Sequence, residues 1–381
     1  MKILTPAHGG GGGGDLRCRK LAMTVLFSIF IFFQERETEA RIEPQEQGFT
    51  YRNLLQANPA TDIPSSGRSM TLRQIVVDAN GLGDFLSVQA AVDAVPAENP
   101  LRVVIRINAG NYEEKVQVPR TLPYLTFQGA GAATTSISWN NIASDVGPDG
   151  KQLGSFNSAT VMVFASNFIA RDISFRVIEK TSSSSRTLYL LDHKLLQLYV
   201  EHCRGAATRH NCAFYGGQDT LCDDTGRHYF KNCYVQGSID FVFGNGHSMY
   251  TGSTFHSIAT STGSIAAQDR DNPDDTSGFS FVGCQITGTG SNYLGRAMGK
   301  YSCIVYSECY IEDIILPQLW DTDWNHDGKN RDQTVTYGIY ECWGPGVATS
   351  GQAWGNTMTQ VEAIAFTSLE FIDGQEWLLE Y

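Results

Sequence analysis

Apolar and polar positions along this chain follow mainly the two-residue period of strands. The short runs Gln74–Val77, Val103–Ile107, Lys115–Val118, Leu125–Gln128 and Thr135–Ser138 read as strands, with Gly81–Gly83, Asn108–Asn111 and the Gly129/Gly131 pair as turns between them. One stretch departs from this. Phe85, Val88, Val92 and Val95 recur at helical spacing within Asp84–Val95, and Pro96 ends the segment. A short amphipathic helix there suits a cap over the first layer of a repeat domain. Farther on, the words NCAF, NCYV, GSTF, GCQI and ECYI put Cys212, Cys233, Ser253, Cys284 and Cys309 at like positions, in steps of 21, 20, 31 and 25 residues. Constant strand words at variable spacing mean loops of different length hung on a fixed coil. No long helical pattern lies between the strands, which argues against βαβ winding and for an all-β parallel β-helix with short capping helices. Its cysteines are expected to stack as small apolar side chains inside the coil, with a Cys212–Cys233 disulfide as the open alternative. Thr359–Phe366 and Phe371–Leu379 are expected to close the last coil, Phe371, Ile372, Trp377 and Leu378 covering its edge.

Upstream of this domain the pattern changes. Six consecutive glycines, Gly9–Gly14, predict a disordered lead. Arg17, Arg19 and Lys20 then precede the apolar run Leu21–Phe33, whose 13 residues fit the core of a signal peptide and are short for a bilayer span. The expected organisation is a lead and signal-like segment over 1–40, a Pro-containing linker over 41–73, and one domain over 74–381. Secretion is expected, without stable membrane insertion.

Composition narrows the partners. A net charge of −12 implies no basic surface, so nucleic acid is excluded as an expected partner. The 38 glycines favour a turn-rich β protein. Nine cysteines occur without the spacing of a zinc site. Asp323–Gly328 begins like a calcium loop, but its twelfth position is Thr334 instead of a bidentate Glu, and it reads as an Asx-rich surface loop.

The chemistry concentrates between Cys212 and Gly246. Asp219 and Asp240 lie 21 residues apart, the same separation as Cys212 and Cys233. Two features offset by one coil stack on adjacent strands, roughly 4.8 Å apart. Carboxyl groups that close do not both ionise freely, so one keeps its proton to a higher pH and acts as an acid beside a nucleophile. Gln218 has an amide suited to an oxyanion, and Arg296 has a guanidinium that can hold a carboxylate ionised and aimed. Such a pair serves acyl-ester hydrolysis and retaining glycoside hydrolysis equally well. His228 and His247 flank this centre and are read as structural.

GGQDTL (Gly216–Leu221), GSIDFVFGNG (Gly237–Gly246), YLGRAMGKYS (Tyr293–Ser302) and GNYEEKV (Gly110–Val116) resemble the signature segments of plant pectin methylesterases. The likeness runs from about Val76 to Leu378. It implies a right-handed parallel β-helix and removal of methyl esters from homogalacturonan in the plant cell wall or apoplast, with no metal or cofactor. In the family's terms Asp240 matches the nucleophile and Asp219 the acid that protonates methanol and then activates water. Gln218 matches an oxyanion donor and Arg296 the arginine that orients the nucleophile. The chain resembles the short form without an inhibitor-like prodomain, since fewer than forty residues cannot hold a four-helix bundle. A proteinaceous pectinesterase inhibitor is an implied partner beside pectin itself. Two departures stand out. Ile178–Asn211 does not resemble the family's Gln-Ala-Val-Ala-Leu strand, which carries a second oxyanion glutamine; the family register lands on Leu196, one residue from Gln197. The segment is expected to be a non-strand insert that lowers activity. Met298 stands where the family has a sugar-stacking tryptophan, leaving Met298, Tyr215 and Phe241, with Tyr293, as candidate sugar contacts. A pectin-chain glycosidase and a catalytically impaired β-helix that only binds cell-wall polysaccharide are the alternatives.

Overall fold

A computed structural model describes residues 73–178, 198–200, 206–323, 331, 333–348 and 357–378. The lead, the apolar run, all but the last residue of the linker, Gln197 and residues 324–330 of the acidic loop lie outside the described residues. What is described is a parallel β-helix. One sheet of ten parallel strands runs in chain order from Arg73–Val77 to Thr336–Tyr340. A second sheet of eleven strands forms another face of the coil, and Val116–Val118, Val161–Val163 and Leu198–Val200 form a small third one. Two long strands, Thr254–Gln268 and Gln285–Ala297, turn a corner without leaving the sheet. The first pairs with Tyr234–Gly237 through its early residues and with Val242–Gly244 through its late ones.

The interior explains why the coil repeats. Phe230, Tyr250, Phe281 and Tyr306 are successive ladder partners, with ring centroids 4.5, 4.8 and 4.3 Å apart and near-parallel planes. Each such pair adds about 0.5–1.5 kcal/mol beyond area burial. Cys212, Cys233, Ser253, Cys284 and Cys309 form the small-residue column, all buried, and the described cysteines are free thiols. The disulfide alternative is not taken. Structure extends the column to Ile173 and Cys342. The residue before each member, namely Asp172, Asn211, Asn232, Gly252, Gly283, Glu308 and Glu341, has φ between 47° and 61°. These seven are one corner of the coil, repeated.

Three local expectations change. The first helix is Val88–Asp93, capped by the Ser87 side chain, because Phe85 is drawn into a bridge with Val77. Its first amides donate to the Glu114 carboxylate at 2.7 and 2.9 Å, which gives the GNYEEKV word a structural purpose. Within Ile178–Asn211, Leu198–Val200 pairs with Val161–Val163 and Ala206–His210 takes its full place between two neighbours. The segment is therefore not a non-strand insert throughout. Finally, the tail helices Gln360–Thr367, Leu369–Ile372 and Gly374–Trp377 do not close the last coil. They run back along the flank of the ten-stranded sheet, where Arg227 meets Asp373 and Glu376 at 3.2 and 2.7 Å and His247 packs edge-on to Phe371. Ala363 and Ile372 are wholly buried there, so apolar burial seats the tail and the exposed ion pairs lie at its rim.

Candidate active site

Both carboxylates stand at one corner of successive coils. Asp219 precedes Leu221–Cys222 and Asp240 precedes Val242–Gly244, and Leu221 lies opposite Val242. Gln218 bridges to Ile239, and the Asp219 N–H donates to the Ile239 carbonyl at 3.1 Å. Asp219 and Asp240 have φ of 50° and 49°, a left-handed conformation that Asp and Asn enter more readily than other side chains. Gly237 permits the bend, since a Cβ there would lie 2.3 Å from the Phe241 Cβ and 2.7 Å from the Thr220 hydroxyl.

The two groups have different partners. Arg296 Nη1 donates to Asp240 Oδ2 at 3.1 Å, while its Nε donates to Asp321 Oδ2 at 3.2 Å. Asp321 sits opposite Arg296 on the next strand, so it holds the guanidinium from behind. Ser264 contributes its hydroxyl, which accepts the Asp240 N–H at 2.9 Å and donates to Asp240 Oδ1. Around Asp219 the contacts are looser. The Gln218 amide donates to it, and the Ser155 hydroxyl, on the short helix Gly154–Asn157, stands 3.5 Å away. Gln218 Oε1 is buried with no partner among the described residues.

Electrostatics follow from that difference. Burial, then the charge of Asp240, pushes Asp219 up to about 7. Burial also raises Asp240, but Arg296 and the Ser264 hydroxyl oppose it, and it reaches about 6. Asp219 therefore keeps a proton where Asp240 has lost one. Asp223 and His228 form a separate buried pair at 2.5 Å, joined by Tyr250 and Ser248 in the coil interior. Opposite charge and hydrogen bonds hold Asp223 below its usual range despite burial.

Of the residues singled out in the sequence, Asp219, Asp240, Gln218 and Arg296 come together. Met298 follows Arg296 half-buried, and Tyr293 lies opposite Ser264. Phe241 does not reach the surface. It is wholly buried, because the bend at Asp240 turns the next side chain into the coil. Phe243 faces outward instead, half-buried, on one row with Ala267 and Arg296. Tyr215 is half-buried, with the Arg176 guanidinium 4.1 Å from its ring centre and Tyr234 beside it. Asp321, Ser264 and Phe243 were missed. Only the alternation within Val242–Gly244 could have signalled one of them.

A protonated acid beside an ionised, arginine-held carboxylate can open an acyl or a glycosidic bond. Comparison with known proteins discriminates between these. The family model described as Pectinesterase matches residues 74–375. "Pectinesterase QRT1" of Arabidopsis thaliana is 44% identical over 314 residues, covering 80% of this chain and 79% of its own. "Probable pectinesterase 8" of the same plant is 39% identical, with 81% and 77% covered. Among solved structures, "Pectin methylesterase from Carrot" superposes with a TM-score of 0.70 at 31% identity, covering 82% of this chain and 97% of that one.

Proposed function

The chain belongs to the pectinesterase family and is a carboxylic-ester hydrolase acting on methylated pectin, and we propose that Asp240 is its nucleophile and Asp219 its acid and base. The observation that carries this assignment is the Arg296–Asp240 contact beside a carboxyl that holds its proton to about 7. In the first step an Asp240 oxygen attacks the methyl-ester carbonyl of a galacturonate unit, and the Gln218 amide stabilises the oxyanion. The C–O bond to methoxide breaks, Asp219 gives its proton, methanol leaves, and an anhydride joins the sugar to Asp240. Asp219, now ionised, takes a proton from water. The resulting hydroxide attacks the sugar carbonyl and releases the Asp240 carboxylate, and Asp219 is protonated again. Phe243 and Met298 supply apolar surface to the sugar beside Arg296.

Gln218 is the amide donor at the site among the described residues, and loss of a second one is the proposed consequence of the altered Ile178–Asn211, lowering turnover by about 100- to 1000-fold. We assign residues 1–40 to a lead and export signal, 41–73 to a linker and 74–381 to the catalytic domain. Export to the cell wall fits the basic, then apolar, Arg17–Phe33, and a proteinaceous inhibitor is the proposed partner that covers the carboxylate site. The test is to follow methanol and new reducing ends from methylated homogalacturonan. Methanol without reducing ends is expected. Reducing ends would favour a glycosidase, and neither product would favour an inert polysaccharide binder.

A further inference from the structure

Ser264 lies on Thr254–Gln268, wholly buried, one coil beyond Asp240. Its hydroxyl has one proton to give. Because its oxygen accepts the Asp240 N–H at 2.9 Å, that proton is directed at Asp240 Oδ1, and the Ser264 carbonyl accepts the same N–H at 2.9 Å. Backbone packing keeps the serine from retreating: a Cβ on neighbouring Gly263 would lie 2.3 Å from the Ser238 carbonyl oxygen and 2.4 Å from Asn292 Oδ1. The carboxylate is thus gripped at both oxygens, by a neutral hydroxyl on Oδ1 and by Arg296 on Oδ2. Asp219 is held differently, by the Gln218 amide and by the Ser155 hydroxyl at 3.5 Å, with no arginine on it among the described residues.

We propose that Ser264 is a positioning residue for the hydrolysis, holding the Asp240 carboxylate in its left-handed bend and favouring its ionised form over that of Asp219. The inference rests on Asp240 being the nucleophile. A hydroxyl that donates to a carboxylate favours the charged state, whereas a protonated carboxyl leaves the same hydroxyl with a weaker acceptor. The charged groups facing Asp240 are Arg296, Asp321 and Asp219. Arg296 lowers its pKa and Asp321 raises it. Ser264 is the uncharged member of the set, so it acts without adding to the charge that substrate meets.

The experiment is methanol release across pH by the full chain and by Ser264→Ala, Ser264→Thr and Ser264→Cys. Ser264→Ala should cut kcat about 10- to 100-fold, leave KM within about twofold, and move the acidic limb of kcat/KM upward by about one pH unit. Ser264→Thr, which keeps the hydroxyl, should return the limb to its original place. A limb unmoved in Ser264→Ala, or unrestored in Ser264→Thr, overturns the proposal. Should Ser264→Ala fail to fold, Ser264→Cys, with its weaker donor, is expected to move the limb partway in the same direction, and an unmoved limb again overturns it. Asp240→Asn separates the two readings. If that variant keeps turnover, the nucleophile assignment fails; if it is inactive while Ser264→Ala is unchanged, only the role of Ser264 fails.

Discussion

Two corners of the coil share one backbone conformation and do different things. At the first, Asp172, Asn211, Asn232, Gly252, Gly283, Glu308 and Glu341 take positive φ just before the small-residue column. At the second, Asp219 and Asp240 take the same φ just before Leu221–Cys222 and Val242–Gly244. Polar side chains at the first corner meet one another: Asn211 Nδ2 donates to Asp172 Oδ1 at 3.0 Å, and Gln128 Nε2 donates to Asp172 Oδ2 at 2.9 Å. At the second corner two carboxyls are desolvated together, and an arginine reaches only one of them. A left-handed bend therefore makes a turn; burial, a like charge and unequal partners make the pair proposed as catalytic.

The same substitution at both corners gives the largest contrast. Asp240→Asn should abolish methanol release, by about 10⁴-fold or more, with a thermal midpoint near that of the parent, because Asn also tolerates the bend. Asp172→Asn should leave turnover within about twofold and cost on the order of 1 kcal/mol in stability. Equal losses of turnover would erase the distinction.

Next in size is Asp219→Asn, expected to slow methanol release by about 10²- to 10⁴-fold. The parent should show a narrow bell in kcat/KM, with an acidic limb near 6 from Asp240 and a basic limb near 7 from Asp219. The sign of the stability effect follows from the raised pKa. Folded Asp219 binds a proton that the unfolded chain releases near pH 4, so its carboxyl destabilises the fold progressively as pH rises toward 7. At pH 8 Asp219→Asn should therefore be more stable, by on the order of 1–3 kcal/mol in chemical denaturation. A less stable variant at that pH would contradict the desolvation argument.

Asp321→Asn probes the asymmetry itself. Loss of the anchor behind Arg296 should lower kcat about tenfold. Removing a charge that raises Asp240 should move the acidic limb downward, opposite to the direction expected for Ser264→Ala. An upward shift would show that Arg296 alignment outweighs the charge. Smallest is Asn232→Ala at the first corner, which should cost about 1–2 kcal/mol from left-handed strain alone and leave the pH profile of methanol release unchanged.

The amino-acid sequence by itself determined the coil and the pairing of the carboxylates. Its strand words repeat because each coil needs the same inward side chains, and the 21-residue offset from Asp219 to Asp240 is one turn of that coil, so chain separation converts directly into spatial adjacency. Arg296 was legible through its own word, but Asp321 was not. The contact between them depends on loops of irregular length between Ile311 and Trp320, which sequence periodicity does not measure. Phe241 and Phe243 are two apart and strict alternation would put both on one face, but the positive φ at Asp240 turns Phe241 inward beside buried Val242 and leaves Phe243 outward. Tyr215 meets Arg176 and Tyr234, partners from neighbouring coils that its own strand does not reveal. The tail was assigned to the last coil from its apolar residues, whereas those residues, Ala363 and Ile372 among them, are buried along the flank, where Arg227 meets Asp373 146 residues away. Local periodicity is a property of one strand and its repeat. Burial, ion pairing and the order of two pKa values belong to groups that meet only after every loop has closed, and tertiary structure alone decided those.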